Sequence, residues 1–237
     1  MSFVVRLELP DRPGALGAVA TALGTFGADI LAMDIVDRAG GRVVDDLVVV
    51  LPKGRAPDTL ITAAESVPDV RVESVRPDPG VADAHREWEL VEAIAADPAH
   101  AVTRLAELLP DVLRAGWAAV VQVQPDRSVD VLAGGGGVPS FDGVPPGWAP
   151  LTRPRKLDTD ERWVPESWRM VGTELAAAPL GSAERAVLIG RPGGPALRRS
   201  EVGRLAHLAM LTAVISGLVP GLGDWVGPER HGPGHNS

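Results

Sequence analysis

The stretch Leu7–Ile30, LELPDRPGALGAVATALGTFGADI, restricts the possible folds more than any other part of this chain. A strand-like alternation runs into Asp11-Arg12-Pro13-Gly14, then into apolar residues at helical spacing (Leu16, Val19, Leu23, Phe26), then into Gly-Ala-Asp-Ile and a second apolar run. Asp11 suits a helix N-cap, and Pro13 suits a first helical turn, where its missing N–H costs nothing. Gly14 removes a side chain where free amide donors can meet a polar ligand. A strand thus feeds a helix entrance of ligand size. The rest of the first 76 residues extends the pattern. Phe3, Val5, Leu7 and Leu9 alternate with Val4, Arg6 and Glu8, as in a sheet with one covered face. Residues 30–37 and 42–51 read as strands about an Ala39-Gly40-Gly41 hairpin turn. A short helix follows Pro57-Asp58 with Leu60, Ile61 and Ala64, and a last strand carries Val70, Val72 and Val75. The order βαββαβ predicts a ferredoxin-like α+β unit, with both helices on one side of an antiparallel sheet.

The Asp-Arg-Pro-Gly-Ala-Leu loop and the Gly-Ala-Asp-Ile entry to strand two make residues 1–76 resemble an ACT domain, the amino-acid-sensing module of many enzymes and regulators. The resemblance implies a ligand between the first strand–helix loop and the start of strand two, the latter usually from a partner subunit. It places Asp11, Arg12, Pro13, Gly14, Ala15, Leu16, Asp29 and Ile30 at that site. In the serine-feedback domain of phosphoglycerate dehydrogenases, polar amides stand where Asp11 and Asp29 stand here. A carboxylate accepts from an ammonium and repels an α-carboxylate, so a zwitterion would be turned around, its carboxylate end on the backbone amides. Asp11 as a simple cap and Asp29 as a simple turn residue remain open readings.

Pro77-Asp78-Pro79-Gly80 breaks the periodicity and marks a linker over residues 77–86. Beyond it the pattern gives a helix starting near 82–88, a second opened by Pro98, strands at 117–124 and 129–133, and Gly/Pro-rich loops with little regular structure over 134–168. Strands at 174–179 and 185–190 and a helix from residue 197 or 198 to 216 complete it. Glu174–Ile215, with Ala-Pro-Leu, Leu-Ile-Gly-Arg and the terminal helix, makes residues 87–218 resemble a GAF-like α/β sensor domain with an antiparallel sheet. Residues 219–237 are rich in Gly, Pro and His and read as a disordered tail. The terminal helix is apolar nearly all round, so besides the sheet it needs a second partner, from the first domain or another subunit. A homodimer is expected.

No cysteine occurs, which excludes disulfides, thiolate ligands and a cysteine-linked bilin. The net charge of −8 argues against nucleic-acid partners. Residues 205–223 lack charge but contain Ser216, Gly217 and Pro220, so a buried helix fits better than a membrane span, and a cytoplasmic location follows as an expectation. Asp45 and Asp46 should point to opposite faces of their strand. Gly134–Gly137 lacks the Lys-Ser/Thr and helix of a phosphate loop, and Asp158, Asp160 and Glu161 lack calcium-loop spacing. His207 is expected as a single core or interface histidine, and Trp148, Trp163 and Trp168 as packing residues or pocket lining. No catalytic constellation, metal site or cofactor motif emerges. The expectation is a non-enzymatic sensor of a small molecule, an amino acid by resemblance. The alternative is an interaction scaffold whose ACT and GAF ligand sites have decayed.

Overall fold

The computed structural model describes residues 1–78, 83–141 and 146–219. The first half contains β1 (Ser2–Pro10), α1 (Ala15–Thr25), β2 (Asp29–Ala39), β3 (Arg42–Val50), α2 (Asp58–Glu65) and β4 (Arg71–Pro77). Its sheet is antiparallel, in the order β2-β3-β1-β4, as the βαββαβ pattern requires. Gly40 (φ 60°) and Gly41 (φ 73°) turn β2 into β3 with two left-handed residues, the conformation that keeps a two-residue hairpin in step with strand twist. Phe3, Val5, Leu7 and Leu9 meet Val19 and Leu23 of α1 and Leu60 and Ala64 of α2 in one core.

Two expectations change here. The helix starts at Ala15, its N-cap is Gly14 (φ 86°), and no side chain caps it. Asp11 is too far upstream to cap, and its carboxylate instead pairs with Arg38 at 3.1 Å; Pro13 lies in the turn before the helix. The opposite sheet face, expected to meet solvent, is also covered: Val4 and Arg6 are buried there.

The second half contains α3 (Asp83–Ala96), a 3₁₀ turn (Pro98–His100), α4 (Ala101–Val112), β5 (Trp117–Val123), β6 (Val129–Gly135), β7 (Arg155–Leu157), α5 (Glu166–Met170), β8 (Glu174–Pro179), β9 (Arg185–Arg191) and α6 (Arg199–Ile215). α3 begins inside the segment read as linker, and residues 79–82 and 220–237 lie outside the described residues. The antiparallel sheet runs β6-β5-β9-β8-β7. Alternate residues serve two layers. Ala118, Val120, Val187 and Ile189 pack with α3, α4 and α6; Trp117, Val121, Leu175 and Leu188 pack under Trp148, Leu151, Trp163 and Trp168. The region 134–168 therefore carries more structure than its Gly/Pro content suggests, including β7. Trp117 and Trp168 meet at a tilt of 58° with 4.9 Å between centroids, and Phe141 meets Trp168 edge-on at 5.4 Å. Those rings fill their own core, and a Cβ at Gly190 would come within 2.1 Å of Trp117. His207 is exposed on the outer side of α6, which takes it out of the core.

A buried ion network joins the halves. Arg6, 1% exposed, grips Asp46 through Nε (2.8 Å) and Nη2 (2.9 Å) and donates through Nη1 to Glu201 of α6 (3.1 Å). Arg191 donates to Glu201 at 2.6 Å and Arg114 to Asp46 at 2.6 Å. The fork of a guanidinium on a carboxylate fixes both distance and angle. Although burial opposes it, these partners hold the Arg6 proton above the ordinary arginine range. Replacing Arg6 by Ala leaves Asp46 with Arg114 and Glu201 with Arg191 but removes the contact that ties them to each other, so Arg6→Ala is expected to cost about 3 kcal/mol in urea unfolding, the low end for a broken buried pair.

Candidate functional site

Two places are candidates for a functional site. The first is the entrance to α1. Its Gly14 cap leaves open space where a Cβ would stand. The Ala15 and Ala18 amides bond to Arg12 and Gly14 carbonyls, whereas those of Leu16 and Gly17 have no acceptor among the described hydrogen bonds. Arg12, Pro13 and Gly14 are exposed, Ala15 is buried and Leu16 half-buried. On the sheet face that α1 covers, Asp45 sits between Leu7 of β1 and Ile35 of β2. It is 3% exposed, and its Oδ1 is buried without a hydrogen-bond partner. Burial pushes the Asp45 carboxyl up to about 6, while Arg38 pulls it down and Asp46, Asp34 and Asp11 add to the rise. Asp45 thus lies within electrostatic reach of the Asp11–Arg38 pair at the helix entrance.

Asp45 was read from the sequence only as the half of Asp45-Asp46 facing away from its neighbour, and that geometry holds: Asp46 lies on the other face with Arg6. Its burial without a partner was missed. A carboxylate pair in the middle of the apolar strand RVVDDLVVV was the available signal.

The sequence-predicted residues do not all converge. Asp11 follows Pro10, which pairs with Arg42 at one end of β3; Asp29 pairs with Val50 at the other. Eight strand steps of about 3.3 Å put them roughly 26 Å apart in one chain. Asp29 and Ile30 therefore cannot complete the site formed by Asp11–Leu16 of the same copy.

The second place is a cleft of about 550 Å³ on the opposite face of the first sheet, between β2 and β3 on one side and α3, the end of α4 and α6 on the other. The Arg6–Asp46–Glu201 network forms its floor and Trp88 of α3 stands at its wall. Sequence reading missed this cleft because its walls come from residues over 160 positions apart. Among the described residues no group of three or more His, Asp or Glu side chains could hold a metal ion, and no helix is long and apolar enough to cross a membrane.

No protein-family model matches the chain, nor does any curated protein. Several solved structures align with parts of it at low identity. The GAF domain of an Acinetobacter phosphoenolpyruvate-protein phosphotransferase aligns over 58% of this chain and 95% of its own, at 8% identity and a TM-score of 0.41. The chromophore-binding domain of a Stigmatella aurantiaca bacteriophytochrome aligns over 81% and 68%, at 14% identity and a TM-score of 0.37. A formyltetrahydrofolate deformylase from Pseudomonas putida aligns over 40% of this chain, which spans 38% of the deformylase, at 14% identity and a TM-score of 0.27.

Asp45 gives a pH signature. Its folded carboxyl takes up a proton at higher pH than the unfolded one, so its stabilising contribution is complete below the ordinary value of 3.8 and is lost as pH rises through about 6. Asp45→Asn, neutral at every pH, is expected to raise stability by about 2 kcal/mol at neutral pH, with the gain fading towards pH 4 in a urea-unfolding series.

Proposed function

We propose that the chain is a non-catalytic regulatory protein that binds a small zwitterion, an amino acid, at the α1 entrance. The unpartnered, buried Asp45 carboxylate behind an uncapped helix start carries this reading. An α-carboxylate would accept from the Leu16 and Gly17 amides, where the helix dipole favours negative charge. An ammonium would face Asp45 and Asp11, which supplies the orientation that two acids in place of amides demand. Arg38 pairs with Asp11 and reaches Asp45 only through its charge, so Asp45 Oδ1 keeps a free acceptor for an ammonium.

In this reading a second copy completes the site. β2 is an edge strand of eleven residues whose Leu31, Met33 and Ile35 are exposed, the kind of edge that invites another strand. Antiparallel pairing of β2 with β2 of a second copy about a two-fold axis runs one strand's start beside the other's end. That brings the second copy's Asp29 alongside Arg38 and so beside Asp11. A ligand there touches both copies and favours the paired state by its difference in affinity for the two states. The resemblance to ACT and GAF modules supports the same class of activity.

The exposed β2 edge also favours the second reading, an interaction scaffold. The two separate in a thermal-unfolding screen of the proteinogenic amino acids together with their des-amino and amide analogues. A sensor gives a shift with at least one amino acid, about 2.7 kcal/mol of stabilisation at a hundredfold excess over Kd. Gly14→Val, which forces a branched side chain into a left-handed conformation beside the amides, removes the shift, and Asp45→Asn weakens it. A flat response across the whole set rejects the sensor and leaves the scaffold. Pairing has its own test: Met33→Lys with Ile35→Lys is expected to convert a dimer to a monomer in sedimentation velocity, and a wild-type monomer at every concentration would reject the two-copy site.

A further inference from the structure

The cleft on the far side of the first sheet is a separate opportunity for binding. Its volume of about 550 Å³ falls within the range of small-molecule sites. Its floor offers a ligand little, because the donors and acceptors of Arg6, Asp46 and Glu201 are engaged with one another. Free chemistry lies nearer the mouth. Among the described residues Asp34, half exposed, accepts no hydrogen bond; Arg204 lies 3.9 Å away, and Arg114 acts on it electrostatically. Arg204 spends its short contact, 2.7 Å, on Glu87. A carboxylate therefore faces the cleft with its hydrogen-bonding capacity unused.

Beside it stands Trp88, a large aromatic ring left 69% exposed. Water does not favour such a ring on an open surface, and its π face attracts a cation. Val91 of α3 adds apolar wall. Together they define a ligand with a compact apolar or aromatic body and one positive charge. Glu87 is matched by Arg204, so the acceptor left for a ligand at the mouth is Asp34, which an ammonium can approach as a hydrogen-bond donor and a carboxylate cannot.

We propose that this cleft is a binding site for an organic monoamine of the arylalkylamine class, its ammonium on Asp34 and its ring against Trp88. The site is distinct from the α1 entrance and lies on the opposite sheet face. Its occupant would touch β2 of the first half and α3 of the second, and so would bias how the halves dock.

Isothermal titration of the full chain with tryptamine, tryptophol and indole-3-acetate tests this, since the three share a ring and differ in the charge of the side chain. The expected result is one tryptamine per chain, tryptophol weaker by roughly tenfold, and no binding of indole-3-acetate. Asp34→Asn and Trp88→Ala, both at accessible positions, should each weaken tryptamine by roughly tenfold. Gly14→Val should leave it unchanged. Equal binding of the three compounds, no tryptamine binding at millimolar concentration, or indifference to Asp34→Asn and Trp88→Ala overturns the proposal. Loss of tryptamine in Gly14→Val also overturns it, by moving the amine to the other face. Should the amino-acid screen be flat while tryptamine still binds, the α1 reading fails and this one stands.

Discussion

Everything in this molecule depends on how Arg6 is satisfied. A guanidinium on an inner strand cannot be buried without acceptors, and its first acceptor, Asp46, is the cross-strand neighbour on β3. Two residues of one sheet do not exhaust its donors. The remaining N–H groups reach Glu201, so the sheet of the first half must lie against the first turn of α6. Glu201 is in turn held by Arg191 of β9 and by the backbone amide of Arg198. Paired with these cations, its carboxyl falls to about 2 in spite of burial, so the network stays charged. Charged pairs in the interior contribute less net stability than apolar packing would, but their directionality sets a single mutual arrangement. The cleft and its floor exist because of that arrangement.

The strands and helices were readable because each half follows one periodicity at a time. Phe3-Val5-Leu7-Leu9 and Leu16-Val19-Leu23 give their elements directly, and Gly40-Gly41 marks the hairpin. The strand run 185–191 and the long helix after it were equally plain. What was not legible concerns faces and partners. An alternating Val4-Arg6-Glu8 looks like a solvent face, because periodicity reports which side differs and not what covers it. Only the charges inside β3 hinted otherwise. Helix α1 began later than Asp11 suggested because Gly14 takes the left-handed cap, leaving Asp11 to Arg38.

The candidate site was legible in part. The Gly14 loop and its amides were found from sequence, whereas Asp45 was set aside as half of a pair that cannot cooperate. That exclusion was sound for Asp45 with Asp46, and it concealed what Asp45 does alone. Asp29, expected from a partner subunit, lies the length of β3 from Asp11 within one copy, and a motif read along a single chain does not show what a second copy brings. The cleft was invisible because Asp34 and Trp88 belong to different halves, and no local pattern relates them.

Helix α6 is also a mechanical part. It is seventeen residues long, about 25 Å, with its first turn bonded to the first sheet through Ser200 and Glu201 and its later turns seated on β8. A rod pinned at one end converts small rotations into travel at the other. A tilt of about five degrees at Ser200 would carry Ile215 by about 2 Å. Rearrangement at the seam would thus be read out at the far tip of the rod, with the seam as its pivot.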